Sequence, residues 1–198
     1  MRLPGGDAAV RAPWRMACAW LGGDPLPGVD AERWDQVARL AGGDLSPMTT
    51  SAGRLFDAAA ALCGVCLETT YEGQAAIELE ALCDPREEGA YEMPGLDPRP
   101  ALEALVGELK RGVGVATAGA RFHNAVADAT ACACIRAAAA HGTHTAVLSG
   151  GVFQNRLLLE RTARRLTDAR LRVLVPEKLP PNDGGIAFGQ AAVAAATG

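Results

Sequence analysis

Two short segments near the end of the chain hold residue types that suit a ligand-binding edge of a sheet. The first is Val147-Leu148-Ser149-Gly150-Gly151, followed closely by Asn155. Paired glycines let a ligand approach the backbone, and the N–H groups at a helix start favour a phosphate. Asn155 either caps the next helix or offers a ligand a donor and an acceptor. We therefore predict a site for a nucleotide or an acyl adenylate.

The second segment is Pro180-Pro181-Asn182-Asp183-Gly184-Gly185, which also lies between an apolar segment and a helical one. Asp183 is either the N-cap of that last helix or, beside Asn182, a ligand for a divalent metal. Parallel strands end at the same edge of a sheet, so the two segments are expected to lie side by side.

A third segment, Thr50-Ser51-Ala52-Gly53-Arg54, precedes a helix and is followed by Asp57. Its hydroxyls either cap the helix or hydrogen-bond a substrate. Arg54 and Asp57 are three residues apart, a spacing at which they pair on one helix face.

The apolar spacing predicts an α/β fold with a helix-rich N-terminal half. The C-terminal half predicts a parallel crossover, in which helices alternate with two buried strands. The helices are expected at 9–21, 31–41, 54–62, 72–83, 100–111, 118–141, 155–169 and 184–196, and the strands at 145–149 and 171–176, with another short strand near Tyr91-Glu92-Met93.

Composition narrows the function classes. The chain has 198 residues, of which 49% are hydrophobic and 5% aromatic, and its net charge is −4. This charge gives no electrostatic reason to expect DNA as a partner. No apolar run approaches the roughly 20 residues of a membrane span, and the N-terminus does not resemble a signal peptide. We expect a cytoplasmic protein.

The cysteines and His123 are expected to be structural. Cys63-Gly64-Val65-Cys66 is a lone CxxC with no second pair at zinc spacing. His123 lies near the start of a long helix, where a buried, hydrogen-bonded histidine is the simpler interpretation.

Several blocks, taken together and in order, resemble the C-terminal end of the HypF carbamoyltransferases of [NiFe]-hydrogenase maturation. They are Leu3–Arg11, Pro13–Met16, Thr50–Ala58, Tyr71–Leu79, Arg121–His123, Leu148–Leu158 and Pro181–Gln190. The resemblance implies the C-terminal lobe of an actin/Hsp70/sugar-kinase-like (ASKHA) domain with a mixed sheet. It places residues 1–198 in a Kae1-like carbamoyltransferase domain, with a helical insertion at about 8–112 and a βαβα nucleotide-binding core at about 113–198.

The resemblance also implies roles for individual residues. Gly150, Gly151 and Asn155 would hold the nucleotide, and Asp183 would bind a divalent metal (zinc, iron or magnesium) and act with Asn182 at the reaction centre. The residues expected to face the ribose and the acyl group are Ser51, Gly53, Asp57, Gly73 and Glu78. Threonylcarbamoyl-transferring relatives tend to carry an acidic residue at the position of Thr50.

The implied reaction is transfer of a carbamoyl group from carbamoyl-adenylate, made from ATP and carbamoyl phosphate, to the C-terminal cysteine of HypE. The upstream HypF domains, including the first lobe that shares the metal, are not in this sequence. We therefore expect weak nucleotide binding and negligible activity from these residues alone. The alternatives are an O-carbamoyl- or threonylcarbamoyl-transferase of the same superfamily and a non-catalytic docking lobe.

Overall fold

The computed structural model describes residues 1–197 and divides the chain into two compact units, residues 1–126 and 127–198. The division falls inside one long helix, α7. Unit 1 contains α1 (Asp7–Arg11), α2 (Trp14–Leu21), α3 (Ala31–Gly42), α4 (Ala52–Leu62), α5 (Gln74–Leu82), α6 (Arg99–Lys110) and the first part of α7 (Val115–His141). Unit 2 contains the rest of α7, β1 (Thr145–Val147), α8 (Arg156–Asp168), β2 (Arg172–Leu174) and α9 (Ile186–Thr197).

In unit 1, a capping side chain marks the start of one helix, and a proline separates two others. Asp30 caps α3 by accepting a hydrogen bond from the Arg33 N–H at 2.9 Å. The helix expected over 9–21 is instead two helices, because Pro13 lies between them. Pro13 has no N–H to donate and cannot continue the hydrogen-bond ladder of α1, so α2 begins just after it.

Aromatic side chains fill the interior of unit 1. The rings of Trp14 and Trp34 are stacked with their centroids 6.1 Å apart. Phe56 meets Phe122 edge-on, with a centroid distance of 5.5 Å. Leu79, Leu102 and Leu105 are also fully buried.

A charged pair lies inside this largely apolar unit. The side chain of Asp57 is 3% exposed, and its Oδ2 lies 2.7 Å from Nη1 of Arg54, which confirms the expected pairing. Neither atom has a well-formed hydrogen bond, so the contact is an ion pair only. Burial raises the pKa of Asp57 to about 6, against the opposing effect of Arg54 and with a smaller upward contribution from Glu72.

Unit 2 is built on a parallel crossover, and the predicted α/β class is confirmed. β1 and β2 pair in parallel with Ala146 opposite Val173, and α8 connects them. The Leu148 N–H extends the pairing by donating to the Leu174 carbonyl at 2.9 Å. Leu148 and Leu166 pack with Ala131 to form the interior.

The sheet is smaller and more exposed than the sequence suggested. In residues 1–197 it has two strands of three residues each. Val147, expected to be buried, is 64% exposed, whereas Leu148 just beyond the strand is 2% exposed. The strand expected near Tyr91 is wrong: residues 91–93 have no strand partner, and the Tyr91 hydroxyl instead donates to Glu108 at 2.7 Å.

Helix α9 has an unusual surface for the last helix of a chain. It is apolar except for Gln190 and Thr197, yet none of its residues is buried. Ile186, Phe188 and Val193 are each more than half exposed. No helix in residues 1–197 has the length and apolarity needed to cross a membrane.

Replacing a fully buried leucine is expected to destabilise unit 1 strongly. Leu105→Ala removes a side chain that is 0% exposed and leaves a cavity, at a cost of about 2–5 kcal/mol in the free energy of unfolding. Leu45→Ala is the matched control, because Leu45 is 90% exposed and its loss should cost less than about 0.5 kcal/mol. Urea unfolding measures both. Equal midpoints would contradict this packing.

Asp57 is expected to make stability depend on pH in an identifiable direction. Because its pKa is about 6 in the native state and about 3.9 in an unfolded chain, the native state binds the proton more tightly. The stability of the native chain relative to Asp57→Asn should therefore fall as pH rises from about 4 to about 6, and then level off. Urea midpoints of both proteins across this range are the measurement. Parallel profiles would show that Asp57 is not buried as described.

Candidate functional site

The two glycine-containing loops of unit 2 touch each other, as the sequence predicted. The Gly150 N–H donates a hydrogen bond of 2.7 Å to the Pro181 carbonyl. A Cβ added to Gly151 would lie 3.9 Å from the Asn182 Cβ. The loop after β1 and the loop after β2 therefore form one backbone-lined edge.

Gly150 occupies a backbone position that favours glycine. Its φ of 102° lies in the region that side-chain-bearing residues rarely adopt. A short 3-10 turn, Gly151–Gln154, follows it and leads into α8. The turn leaves Gly151 exposed at the edge of the sheet.

Asn155 caps α8, which was one of its two expected roles. It is 8% exposed, and its Oδ1 accepts a hydrogen bond of 2.8 Å from the Leu158 N–H. The cap fixes the start of α8 directly after the glycine loop. A contact between Asn155 and a nucleotide stays a prediction.

In the second loop, the capping residue is Asn182 and not Asp183. Asn182 Oδ1 accepts a hydrogen bond of 3.0 Å from the Gly184 N–H, at the start of the turn that leads into α9. Gly185 cannot carry a side chain here, because an added Cβ would lie 2.8 Å from the Pro180 carbonyl oxygen. This arrangement leaves Asp183 exposed.

Asp183 does not complete a metal site by itself. Among residues 1–197, no group of three or more His, Cys, Asp or Glu side chains converges in a way that could hold a metal ion. The described residues therefore do not supply three side-chain ligands of a metal centre by themselves.

The remaining predicted site residues belong to unit 1, at the starts of α4 and α5. Ser51 caps α4 by accepting from the Arg54 N–H at 3.4 Å, and Gly53 lies in the first turn of that helix. Gly73 precedes α5 with a left-handed φ of 82°. Glu78 follows one turn into α5 and is half-buried.

Asp57 and Glu78 lie on two helices that pack against each other, α4 and α5. Burial raises the pKa of the Cys66 thiol, and both carboxylates raise it further. The structure thus brings together two predicted site residues that are separated by 21 positions in the sequence.

Sequence reasoning missed Gln74, which contacts Glu78 directly. The Gln74 Nε2 donates a hydrogen bond of 2.7 Å to Glu78 Oε1. The spacing of four residues on one helix was the available signal for this pair.

His123 has the buried, hydrogen-bonded environment that was expected, and the structural role of the cysteines stays a prediction. All six cysteines are free, and burial raises the pKa of Cys63 to about 12, which keeps that thiol protonated. His123 is fully buried and its Nδ1 lies 2.7 Å from the Gly119 carbonyl oxygen.

Comparison with known proteins gives consistent matches over nearly the whole chain. The family model "Carbamoyltransferase, Kae1-like Domain, second subdomain" matches residues 1–190. The Carbamoyltransferase HypF of Rhizobium leguminosarum bv. viciae is 42% identical over 203 residues, covering 97% of this chain and 26% of the relative. A Carbamoyltransferase HypF homolog of Cupriavidus necator is 39% identical, and the match covers 98% of this chain and 55% of that relative.

Solved structures match as well. A crystal structure of full-length HypF in the phosphate- and nucleotide-bound form aligns with a TM-score of 0.90 at 34% identity, over 97% of this chain and 32% of that one. HypF of T. kodakarensis aligns with a TM-score of 0.84 at 25% identity. This sequence thus spans between about a quarter and about half of the curated relatives named above. The α/β chain belongs to the HypF carbamoyltransferase family, within the second subdomain of its Kae1-like domain.

Proposed function

We propose that this chain is the nucleotide-holding part of a carbamoyltransferase that serves [NiFe]-hydrogenase maturation. The observation that carries the proposal is the hydrogen bond between the Gly150 N–H and the Pro181 carbonyl. It joins two strand-end loops into one edge where backbone, and not side chains, meets the ligand. Ligands of open α/β sheets bind at such edges.

The proposed reaction is carbamoyl transfer from carbamoyl-adenylate to the C-terminal cysteine of HypE. The thiolate sulfur attacks the carbamoyl carbon, a C–S bond forms, and the bond between that carbon and the phosphate oxygen of the adenylate breaks. AMP leaves with the electron pair of that bond. The substrates that supply the adenylate are ATP and carbamoyl phosphate.

Backbone groups of this chain would do most of the binding. The loops that contain Gly150 and Gly151 would face the nucleotide, and the Asn155 cap would hold them at the start of α8. In unit 1, the half-buried carboxylate of Glu78 is suited to accept hydrogen bonds from hydroxyl groups of a ribose, whereas the Asp57 carboxylate is buried against Arg54. Ser51, Gly53 and Gly73 would keep the backbone near those carboxylates free of bulky side chains.

Asp183, with Asn182 beside it, would contribute a carboxylate ligand to a divalent metal whose other ligands come from a first lobe outside this sequence. Such a metal, when bound, would stabilise negative charge on the phosphate and on the carbamoyl oxygen. The exposed position of Asp183 supports this role, because its side chain is not consumed by the fold.

Two alternatives fit less well. A threonylcarbamoyl- or O-carbamoyl-transferase would share the fold, but the relatives described above are named HypF carbamoyltransferases. A docking lobe without catalytic function would not need a backbone conformation that favours glycine at position 150 or two glycine loops in contact.

The exposed apolar surface of α9 supports a partner lobe. A helix that is apolar all round is normally buried on all sides, yet Phe188 and Val193 are 60% and 64% exposed. We propose that polypeptide from the rest of a HypF-length protein covers α9. The matched relatives are long enough to contain such polypeptide, since this sequence spans 26% of the Rhizobium protein.

Carbamoyl transfer in a full-length context is expected to depend on Asp183. A full-length HypF-type polypeptide carrying these residues should carbamoylate HypE in the presence of ATP and carbamoyl phosphate, and Asp183→Ala should abolish the reaction. Mass spectrometry of the HypE C-terminal peptide is the measurement. The 198 residues alone are expected to show negligible transfer.

Glu177→Ala is the matched control, because Glu177 is another exposed acidic residue of the loop after β2. It should leave transfer unchanged. Transfer that survives Asp183→Ala would refute the role given to Asp183, and a wild-type protein that never modifies HypE would refute the proposed reaction.

If polypeptide outside this sequence covers α9, Phe188→Ala should lower the stability of a full-length protein more than that of the isolated chain. In the isolated chain the change should alter the free energy of unfolding by less than about 0.5 kcal/mol, because the ring is 60% exposed. In a full-length HypF-type polypeptide it should cost about 3 kcal/mol, because a packed ring is lost. Thermal or urea unfolding of both pairs measures the difference, and the same small effect in both would mean that nothing covers α9.

A further inference from the structure

Glu78 is held by a chain of hydrogen bonds that begins outside its own helix. Oε1 of Gln74 accepts two hydrogen bonds from Thr70, one from the backbone N–H at 2.7 Å and one from the hydroxyl at 3.1 Å. The Nε2 of Gln74 then donates to Glu78 Oε1 at 2.7 Å. The three residues are spaced four apart, from the loop before α5 into its second turn.

This arrangement fixes the orientation of the Gln74 amide. An amide has one oxygen and one NH2 group, and the two Thr70 donors engage the oxygen, so the NH2 group must point the other way. That direction is toward Glu78. Reversing the amide would face its NH2 group toward the Thr70 N–H and its oxygen toward a carboxylate, and both contacts would be unfavourable.

The amide holds the carboxylate without neutralising it. A lysine or arginine at position 74 would add a positive charge beside Glu78, whereas the Gln74 amide is neutral. Only Oε1 of Glu78 is used in this contact, so Oε2 is left for a ligand. Glu78 is half-buried, which limits the other positions that its side chain can take.

We propose that Gln74, oriented by Thr70, is a positioning residue that holds the Glu78 carboxylate toward the ribose hydroxyls of the bound nucleotide. This inference rests on the proposed function, which makes Glu78 a nucleotide contact. Gln74 itself needs no contact with the nucleotide. It acts by reducing the rotamers that Glu78 must give up when the ligand binds.

The experiment compares two ligands by calorimetry on a full-length HypF-type polypeptide carrying these residues. One is a non-hydrolysable ATP analogue, and the other is its 2′,3′-dideoxy form, which lacks both ribose hydroxyls. Gln74→Ala should weaken binding of the first by about three- to tenfold, the effect of one lost hydrogen bond, and of the second by less than about twofold. Gln74→Met, which keeps the length and helix propensity of the side chain, should behave like Gln74→Ala.

Gln36→Ala is the matched control. Gln36 donates from Nε2 to Glu32 Oε1 at 3.4 Å on α3, which is the same type of pair at the same spacing in a helix with no predicted site residue. It should leave both affinities unchanged. In a Glu78→Gln background, Gln74→Ala should have no further effect on binding of the ribose-containing analogue, because the residue acts through Glu78.

Four results would overturn the inference. Equal weakening of both ligands by Gln74→Ala and Gln74→Met would indicate a general structural role, and so would an undiminished effect in the Glu78→Gln background. Wild-type protein that binds both ligands equally well would remove the ribose contact but leave nucleotide binding. Wild-type protein that binds neither ligand would instead overturn the proposed function itself, and the inference with it.

Discussion

Two parallel strands joined by one helix must end at the same edge of their sheet, and the candidate site in unit 2 depends on this geometric constraint. Leu148 is buried just beyond β1 and donates to Leu174 at the end of β2. The chain then turns away from the sheet in both places, and the Gly150 N–H meets the Pro181 carbonyl. Gly150 can make this turn at a positive φ because glycine has no Cβ. A pair of three-residue strands is thus sufficient to place the two loops in contact.

Unit 1 places two carboxylates in a helical, largely apolar environment. Asp57 is buried against Arg54 in an ion pair that lacks hydrogen bonds, so burial dominates and its pKa is raised to about 6. Glu78 is half-buried and held by a neutral amide. The two acidic side chains therefore differ in their partners and in their exposure.

The exposed apolar side chains of helix α9 can be considered together with the greater length of the matched relatives. Twelve residues of apolar helix without a buried side chain give little stabilisation to the units described here. The matched relatives are up to about four times longer than the matched region, so a partner surface within one polypeptide is a simple source of the missing contacts.

The sequence by itself determined the features that depend on neighbouring residues. Caps at Ser51 and Asn155 were visible because capping involves a side chain and an N–H only three residues away. The parallel crossover followed from the alternation of apolar segments, and the family followed from blocks in order along nearly the whole chain. Only the tertiary structure decided the rest. The strand expected near Tyr91 does not form and Val147 is exposed, because strand pairing and burial depend on residues distant in sequence. The proximity of Asp57 to Glu78 and the orientation of the Gln74 amide also required folding, since helix packing and a loop hydroxyl, and not spacing alone, place those groups.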